Sequence, residues 1–173
     1  NLLDYIIQNQ QKVIGIGKIK DIFAGRGVSE SYPTENNDDG IDKIISAMKN
    51  HHNGLIFANL IDFDQLYGHR NDATGYAEAL ERFDARLPQI MEQLEENDLL
   101  IITADHGCDP TTEGTDHTRE YVPLLAYGPG LKKGIDLGQR DTFADAGATI
   151  AEHLKIDNYD LAGTSFYPEM RMK

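Results

Sequence analysis

Gly54-Leu55-Ile56-Phe57-Ala58-Asn59-Leu60-Ile61 runs almost without a polar break and then stops at Asp62-Phe63-Asp64. A nearly continuous apolar run of this length marks a strand buried on both faces, the pattern of a parallel sheet covered by helices. Residues 98–104 (DLLIITA) repeat the pattern and stop at Asp105-His106. Working outward, residues 12–17 (KVIGIG) form a β-branched run ending in glycines. Residues 121–127 (YVPLLAY) form another strand, closed by Gly128-Pro129-Gly130. Between them lie helical patterns. Residues 2–10 open the chain as a helix. Ile41, Ile44, Ile45 and Met48 recur at three- and four-residue spacing within 38–50. Residues 74–96 carry the longest stripe, Tyr76, Ala79, Leu80, Phe83, Leu87, Ile90, Met91 and Leu94, with Pro88 expected to kink it. A last helix is expected over 142–154. Residues 19–37, with Gly25, Gly27 and Pro33, read as mostly loop, and 157–173 as short irregular structure. Strands alternating with helices predict an α/β domain with a mainly parallel sheet flanked by helices. In such sheets ligands gather beyond the carboxyl ends of the strands.

Composition removes several classes of function. The 29 acidic residues outnumber the 16 basic ones, for a net charge of -13. That balance argues against nucleic-acid binding, which needs clustered Lys and Arg. An anionic small substrate stays open, because bound divalent cations reverse the charge of a site. No apolar run approaches the roughly 20 residues of a membrane span, and no signal-peptide pattern opens the chain. The single cysteine, Cys108, rules out an internal disulfide framework and fits a reducing cytoplasm. A chain that starts at Asn1 and runs straight into a helix is expected to be a piece of a longer protein.

The chemistry-bearing residues fall at the strand exits. Asp64 and His69 follow the first apolar run, Asp105 and His106 follow the second, and His117 comes eleven residues after His106. Carboxylate oxygens and imidazole nitrogens suit Zn, Mn or Fe. Five such ligands are too many for one tetrahedral site and suit a pair of ions. A pair about 3.5–4 Å apart is a common device for phosphoryl transfer. His51, His52 and His153 read as structural or solvated, Cys108 as a bystander, and residues 92–98 as a solvated helix end. Gly15-Ile16-Gly17-Lys18 lacks the spacing of a P-loop.

Three stretches closely resemble the phosphopentomutase signature: Asn59 to Arg70 (NLIDFDQLYGHR), Ile102 to Pro110 (ITADHGCDP) and Gly114 to Glu120 (GTDHTRE). Gly17 to Gly27 (GKIKDIFAGRG) looks like the same family's. The resemblance covers nearly the whole chain. Its Asp-His-Gly element is shared across the alkaline phosphatase superfamily; the Asp-Phe-Asp and Tyr-Gly-His-Arg element is more specific. The resemblance implies an alkaline phosphatase-like core, here partial, holding two divalent ions, usually manganese. It implies that Asp64, His69 and His117 hold one ion and that Asp105 and His106 help hold the other. The family's N-terminal Asp, its nucleophilic Thr and its cap domain have no match, so residues 1–173 correspond to the C-terminal portion of the core. Thr103, Thr115 and Thr118 belong to the metal motifs and are not the nucleophile. The longer protein is expected to interconvert ribose 1-phosphate and ribose 5-phosphate, and the deoxyribose pair, with a sugar bisphosphate as activator. This chain alone is expected to be inactive. Lys18, Arg70 and Arg119 are weaker candidates for contacts to the pentose phosphate. A cofactor-independent phosphoglycerate mutase or related metal-dependent phosphatase is an alternative within the superfamily. A non-catalytic metal-binding domain is an alternative of another class.

Overall fold

Val13, Ile14 and Ile16 are almost completely sealed from solvent, and the strand they form, β1 (Lys12–Ile16), is the centre of a three-stranded parallel sheet. β2 (Glu30–Tyr32) lies on one side of it, with Ile14 opposite Glu30. β3 (Gly54–Ala58) lies on the other, with Val13 opposite Leu55 and Ile16 opposite Ala58. The computed structural model describes residues 1–51, 53–157 and 159–172; His52 lies outside the described residues.

Alternation along β1 sends its side chains into two cores. Val13 packs with Leu3 and Ile6 of α1 (Leu2–Gln8) and with Ala151 of α5 (Ala144–His153). Ile14 and Ile16 pack with Ala47 and Ile44 of α3 (Asn37–Asn50). α3 begins where the Asn36 side chain accepts a hydrogen bond from the Asp39 amide at 2.9 Å, with Asp38 and Asp39 in its first turn complementing the helix dipole.

β4 (Leu100–Thr103) and β5 (Leu124–Tyr127) form a separate antiparallel pair, with Ile101 opposite Ala126 and Ile102 opposite Leu125. One face of that pair covers Phe166, Leu131 and Met170, the last in the single-turn α6 (Tyr167–Met170). The other face carries Leu100, Ile102, Leu125 and Tyr127, and Leu125 is 59% exposed. No backbone pairing joins the two sheets among the described residues.

The α/β class with a mainly parallel sheet is as expected, and several details differ. The expected double-sided burial of the two apolar strands is not found. All five residues of β3 are half-buried, and β4 is no better covered. Each strand pairs on one side only, so each is a sheet edge. The strands are also shorter than their apolar runs, because pairing ends before the runs do. The expected loop over 19–37 contains the single-turn α2 (Ile19–Ile22) and β2. The sequence of β2, Glu-Ser-Tyr, has no apolar signal because an edge strand needs little. The long helix α4 (Ala73–Met91) stops before the polar 92–98 segment, with Pro88 inside its last turn.

Candidate metal centre

Beyond β3 the chain is pinned to the start of α3 by a reciprocal pair. The Asn37 amide donates to Asp62 Oδ2 at 2.8 Å, and the Asp62 amide donates to Asn37 Oδ1 at 3.0 Å. The next residues wind into a π-helical turn, Phe63–Tyr67, and a 3-10 turn, Gly68–Arg70. Wide turns of this kind recur at functional sites. Phe63 anchors the turn on α4, its ring 5.8 Å from Tyr76 and 6.4 Å from Phe83.

This turn sets Asp64 Oδ1 at the centre of the histidines. Nε2 of His69 and Nε2 of His117 each lie 3.3 Å from it, and Nε2 of His106 lies 3.9 Å away. The ligand atoms of Asp64, His106 and His117 all lie within 4.8 Å of one another. The His106 and His117 rings stack with centroids 3.6 Å apart, and the His69 ring is 4.9 Å from His117. Asp64 Oδ1 is itself buried and accepts no hydrogen bond.

The other ring nitrogens explain which way the imidazoles face. His69 Nδ1 lies 2.5 Å from the Thr115 carbonyl oxygen, and His106 Nδ1 lies 3.1 Å from the Gly107 carbonyl oxygen. A carbonyl can only accept, so in both rings Nδ1 carries a proton and Nε2 is the atom turned toward Asp64. Such outer partners orient metal-ligating histidines. A buried carboxylate oxygen with no hydrogen-bond partner, faced by three imidazole Nε2 atoms, is an arrangement that calls for a shared partner. A divalent cation satisfies all of them, and these residues fit one.

Two contacts bring the His117 segment to the His106 turn. Gly107 and Thr118 form an isolated antiparallel bridge, and the Thr118 hydroxyl accepts from the Asp109 amide at 2.7 Å. A β-carbon at Gly107 would meet the Thr118 carbonyl oxygen and the Glu120 amide nitrogen at 2.5 Å, so only glycine permits that approach. Asp109 is further ordered by Thr111, whose hydroxyl and amide hold its carboxyl below the usual range.

The remaining expected residues lie around this cluster. Asp105 is on its outer side, 70% exposed, with Oδ1 3.7 Å from His106 Nε2. The geometry therefore groups His106 with Asp64 and His117 as closely as with Asp105. Lys18, just past β1, donates to Gln65 beside Asp64 at 3.2 Å. Arg70 and Arg119 are exposed on the two segments that carry His69 and His117. Cys108 is half-buried, and its thiol is pushed up chiefly by burial and further by the Asp64 and Asp109 carboxylates. The sequence did not mark Thr115 and Gly107 as the carbonyl partners, because a backbone acceptor has no residue signature. Outside the cluster, His51 Nε2 lies 3.6 Å from Glu30 Oε2, and His153 packs against the Tyr167 ring.

The model of the metalloenzyme superfamily matches residues 8–158. The chain belongs to that superfamily. It is 57% identical over 172 residues to the phosphopentomutase of Caldanaerobacter subterraneus subsp. tengcongensis, covering 99% of this chain and 44% of that protein. It is 61% identical over 166 residues to the phosphopentomutase of Thermotoga maritima, covering 95% of this chain and 42% of that protein. The chain thus spans less than half the length of these relatives. In fold it is similar to a phosphoglycerate mutase of Leishmania mexicana solved at low cobalt concentration, with a TM-score of 0.72 and 18% identity over 99% of this chain and 39% of the other.

Proposed function

We propose that this chain is the metal-binding part of a phosphopentomutase, an isomerase that interconverts ribose 1-phosphate and ribose 5-phosphate, and the deoxyribose pair. The observation that carries the proposal is the convergence of three imidazole nitrogens on the partnerless Asp64 Oδ1. It occurs in a chain that is 53–61% identical to proteins named phosphopentomutase.

Asp64, His69 and His117 would hold one divalent cation, and Asp105 and His106 would help hold a second, with manganese the expected metal. Bound there, the cations supply positive charge to a phosphoryl group in transfer, which together with positioning is most of what that chemistry requires. The Thr115 and Gly107 carbonyls engage Nδ1 of His69 and His106, which would leave Nε2 of each ring to face the cation. Lys18, Arg70 and Arg119 would contact the phosphates of a pentose phosphate. The nucleophile is a phospho-Thr in the remainder of the longer protein. Its phosphoryl group passes to the free hydroxyl of the sugar phosphate, giving a bisphosphate, and the sugar's original phosphoryl group then returns to the Thr. A sugar bisphosphate would therefore serve as activator. The isolated chain lacks that Thr and would be inactive, and the whole protein would work in the cytoplasm.

Phosphorus NMR of the full-length protein with Mn²⁺ and a sugar bisphosphate tests this, with ribose 1-phosphate and 3-phosphoglycerate offered together. Conversion of the pentose phosphate alone is the expected result. Conversion of the glycerate alone would move the protein to the phosphoglycerate mutases, whose fold it also matches. Conversion of neither would favour a non-catalytic metal-binding domain.

A further inference from the structure

Gly68 sits in the middle of the site, at the junction of the π-helical and 3-10 turns, and it is buried. Its backbone angles, φ -60 and ψ -61, are right-handed helical and open to any residue. Conformation therefore does not demand glycine there. Space does. A β-carbon on residue 68 would overlap Cys108 Sγ, and it would stand 3.2 Å from the Phe63 carbonyl oxygen and 3.7 Å from Asp64 Oδ1. The Cys108 β-carbon stands no closer than that Asp64 oxygen.

We infer that Gly68 and Cys108 are a pair of positioning residues for the metal centre, the thiol occupying the volume that a side chain on residue 68 would fill. Gly68 lies between Asp64 and His69 on one turn. Cys108 follows His106 on the other. Their contact is the direct packing of one ligand-bearing turn on the other, and it fixes the gap across which Asp64 Oδ1 meets His106 Nε2. The thiol itself touches no substrate and is not a ligand in this account. The inference rests on the metal-binding reading above.

The interlock makes a reciprocal prediction. Gly68→Ala is expected to force the turns apart, and deleting the sulfur with Cys108→Ala removes the overlap, leaving the new methyl one tight contact, 3.2 Å to the Phe63 carbonyl oxygen. The full-length protein is titrated with Mn²⁺ alone, in the parent, both single variants and the double variant. Histidine imidazole resonances are recorded by NMR without metal. Gly68→Ala is expected to weaken Mn²⁺ binding about tenfold or more, the scale of lost outer-shell support, and to shift the His69 and His106 resonances. Cys108→Ala alone, which empties the contact without forcing the turns apart, should weaken binding less than Gly68→Ala does, and the double variant should recover most of the lost affinity and the parent resonances. A Gly68→Ala protein that binds like the parent overturns the inference. So does a double variant as weak as Gly68→Ala, or one that fails to fold where Cys108→Ala folds. A parent that takes up no Mn²⁺ would overturn the metal reading instead, and the metal-free resonances would still decide whether residues 68 and 108 are coupled in this way.

Discussion

Asp64→Asn should make the metal-free protein more stable while abolishing its response to metal. In the absence of a cation, Asp64 Oδ1 is a buried acceptor with no hydrogen-bond partner, and Nε2 of His69 and His106 face it from 3.3 and 3.9 Å. An unsatisfied buried polar atom costs about 1–3 kcal/mol. The Asp64 side chain as a whole is 35% exposed, which places the cost near the lower end, about 1 kcal/mol. Asn has the same shape, and its amide can turn its N–H toward those imidazoles. The gain of about 1 kcal/mol corresponds to a rise in Tm of roughly 2–4 °C for a domain of this size. With Mn²⁺ the order reverses. A metal present at 100 times its Kd stabilises the native protein by about 2.7 kcal/mol, and the neutral amide forfeits most of that. The assay is calorimetric melting of parent and Asp64→Asn, each with chelator and with excess Mn²⁺. A variant less stable than the parent in chelator, or one with the full Mn²⁺ shift, would refute the reasoning.

His153 gives a pH dependence. Burial lowers its pKa from the ordinary 6.5, and its Nδ1 is buried without a partner. The unfolded chain takes up a proton near 6.5 and the native chain only below it, so this contribution is complete above pH 6.5 and fades as pH falls through the lowered native value. Urea midpoints at pH 7.5 and 5.5 should therefore differ less in His153→Gln than in the parent; an equal difference would count against it. Phe166 is completely buried, packed with Leu131 and Met170 and capped by the Arg140 guanidinium 5.4 Å from its ring. Phe166→Ala should cost about 3–5 kcal/mol in urea unfolding, and a loss under 1 kcal/mol would show that the site refills. The chain of residues 1–173 on its own should self-associate through the open edges of β3 and β4 and the face bearing Leu125. Light scattering that shows a monodisperse monomer would contradict this.

The strand exits carried most of what was legible. Asp64 and His69 follow one apolar run read as a strand, Asp105 and His106 follow another, and His117 lies in the stretch beyond; the rule that ligands lie beyond strand ends then brings them near one another. Periodicity located α3, whose stripe faces the β1 core, and α4, whose Ala79 and Ile90 are buried although Leu80 of the expected stripe is 49% exposed. Illegible features were of two kinds. Backbone groups such as the Thr115 carbonyl, and steric exclusions such as Cys108 against Gly68, leave no pattern in a sequence. The burial of β3 and β4 was overestimated for a different reason. An apolar run records the cover for which a strand is built, while burial counts only the residues that are there. β2 was missed because three residues of an edge strand, anchored by Lys12 to Glu30 at 2.9 Å, need no apolar code.

Among the described residues no backbone pairing joins the two sheets, so something else must hold the two ligand-bearing turns in register. One strut is α5. Its Ala151 lies in the core of α1 and β1, while its Thr149 hydroxyl accepts from the Phe166 amide at 2.9 Å, reaching the core of the β4–β5 pair. The other strut is the site itself, where the turn after β3 meets the turn after β4 at Gly68 and Cys108 and around Asp64 Oδ1. α5 fixes the sheets at one place, far along the chain from both turns, and leaves their separation at the strand ends to local contacts. A cation shared by Asp64 and His106 would act there as a cross-link between the two sheets. Metal binding should therefore protect the amides of β3 and β4 from hydrogen exchange together, although no backbone hydrogen bond connects them, and should change the α1–β1 core little, because α5 already braces it.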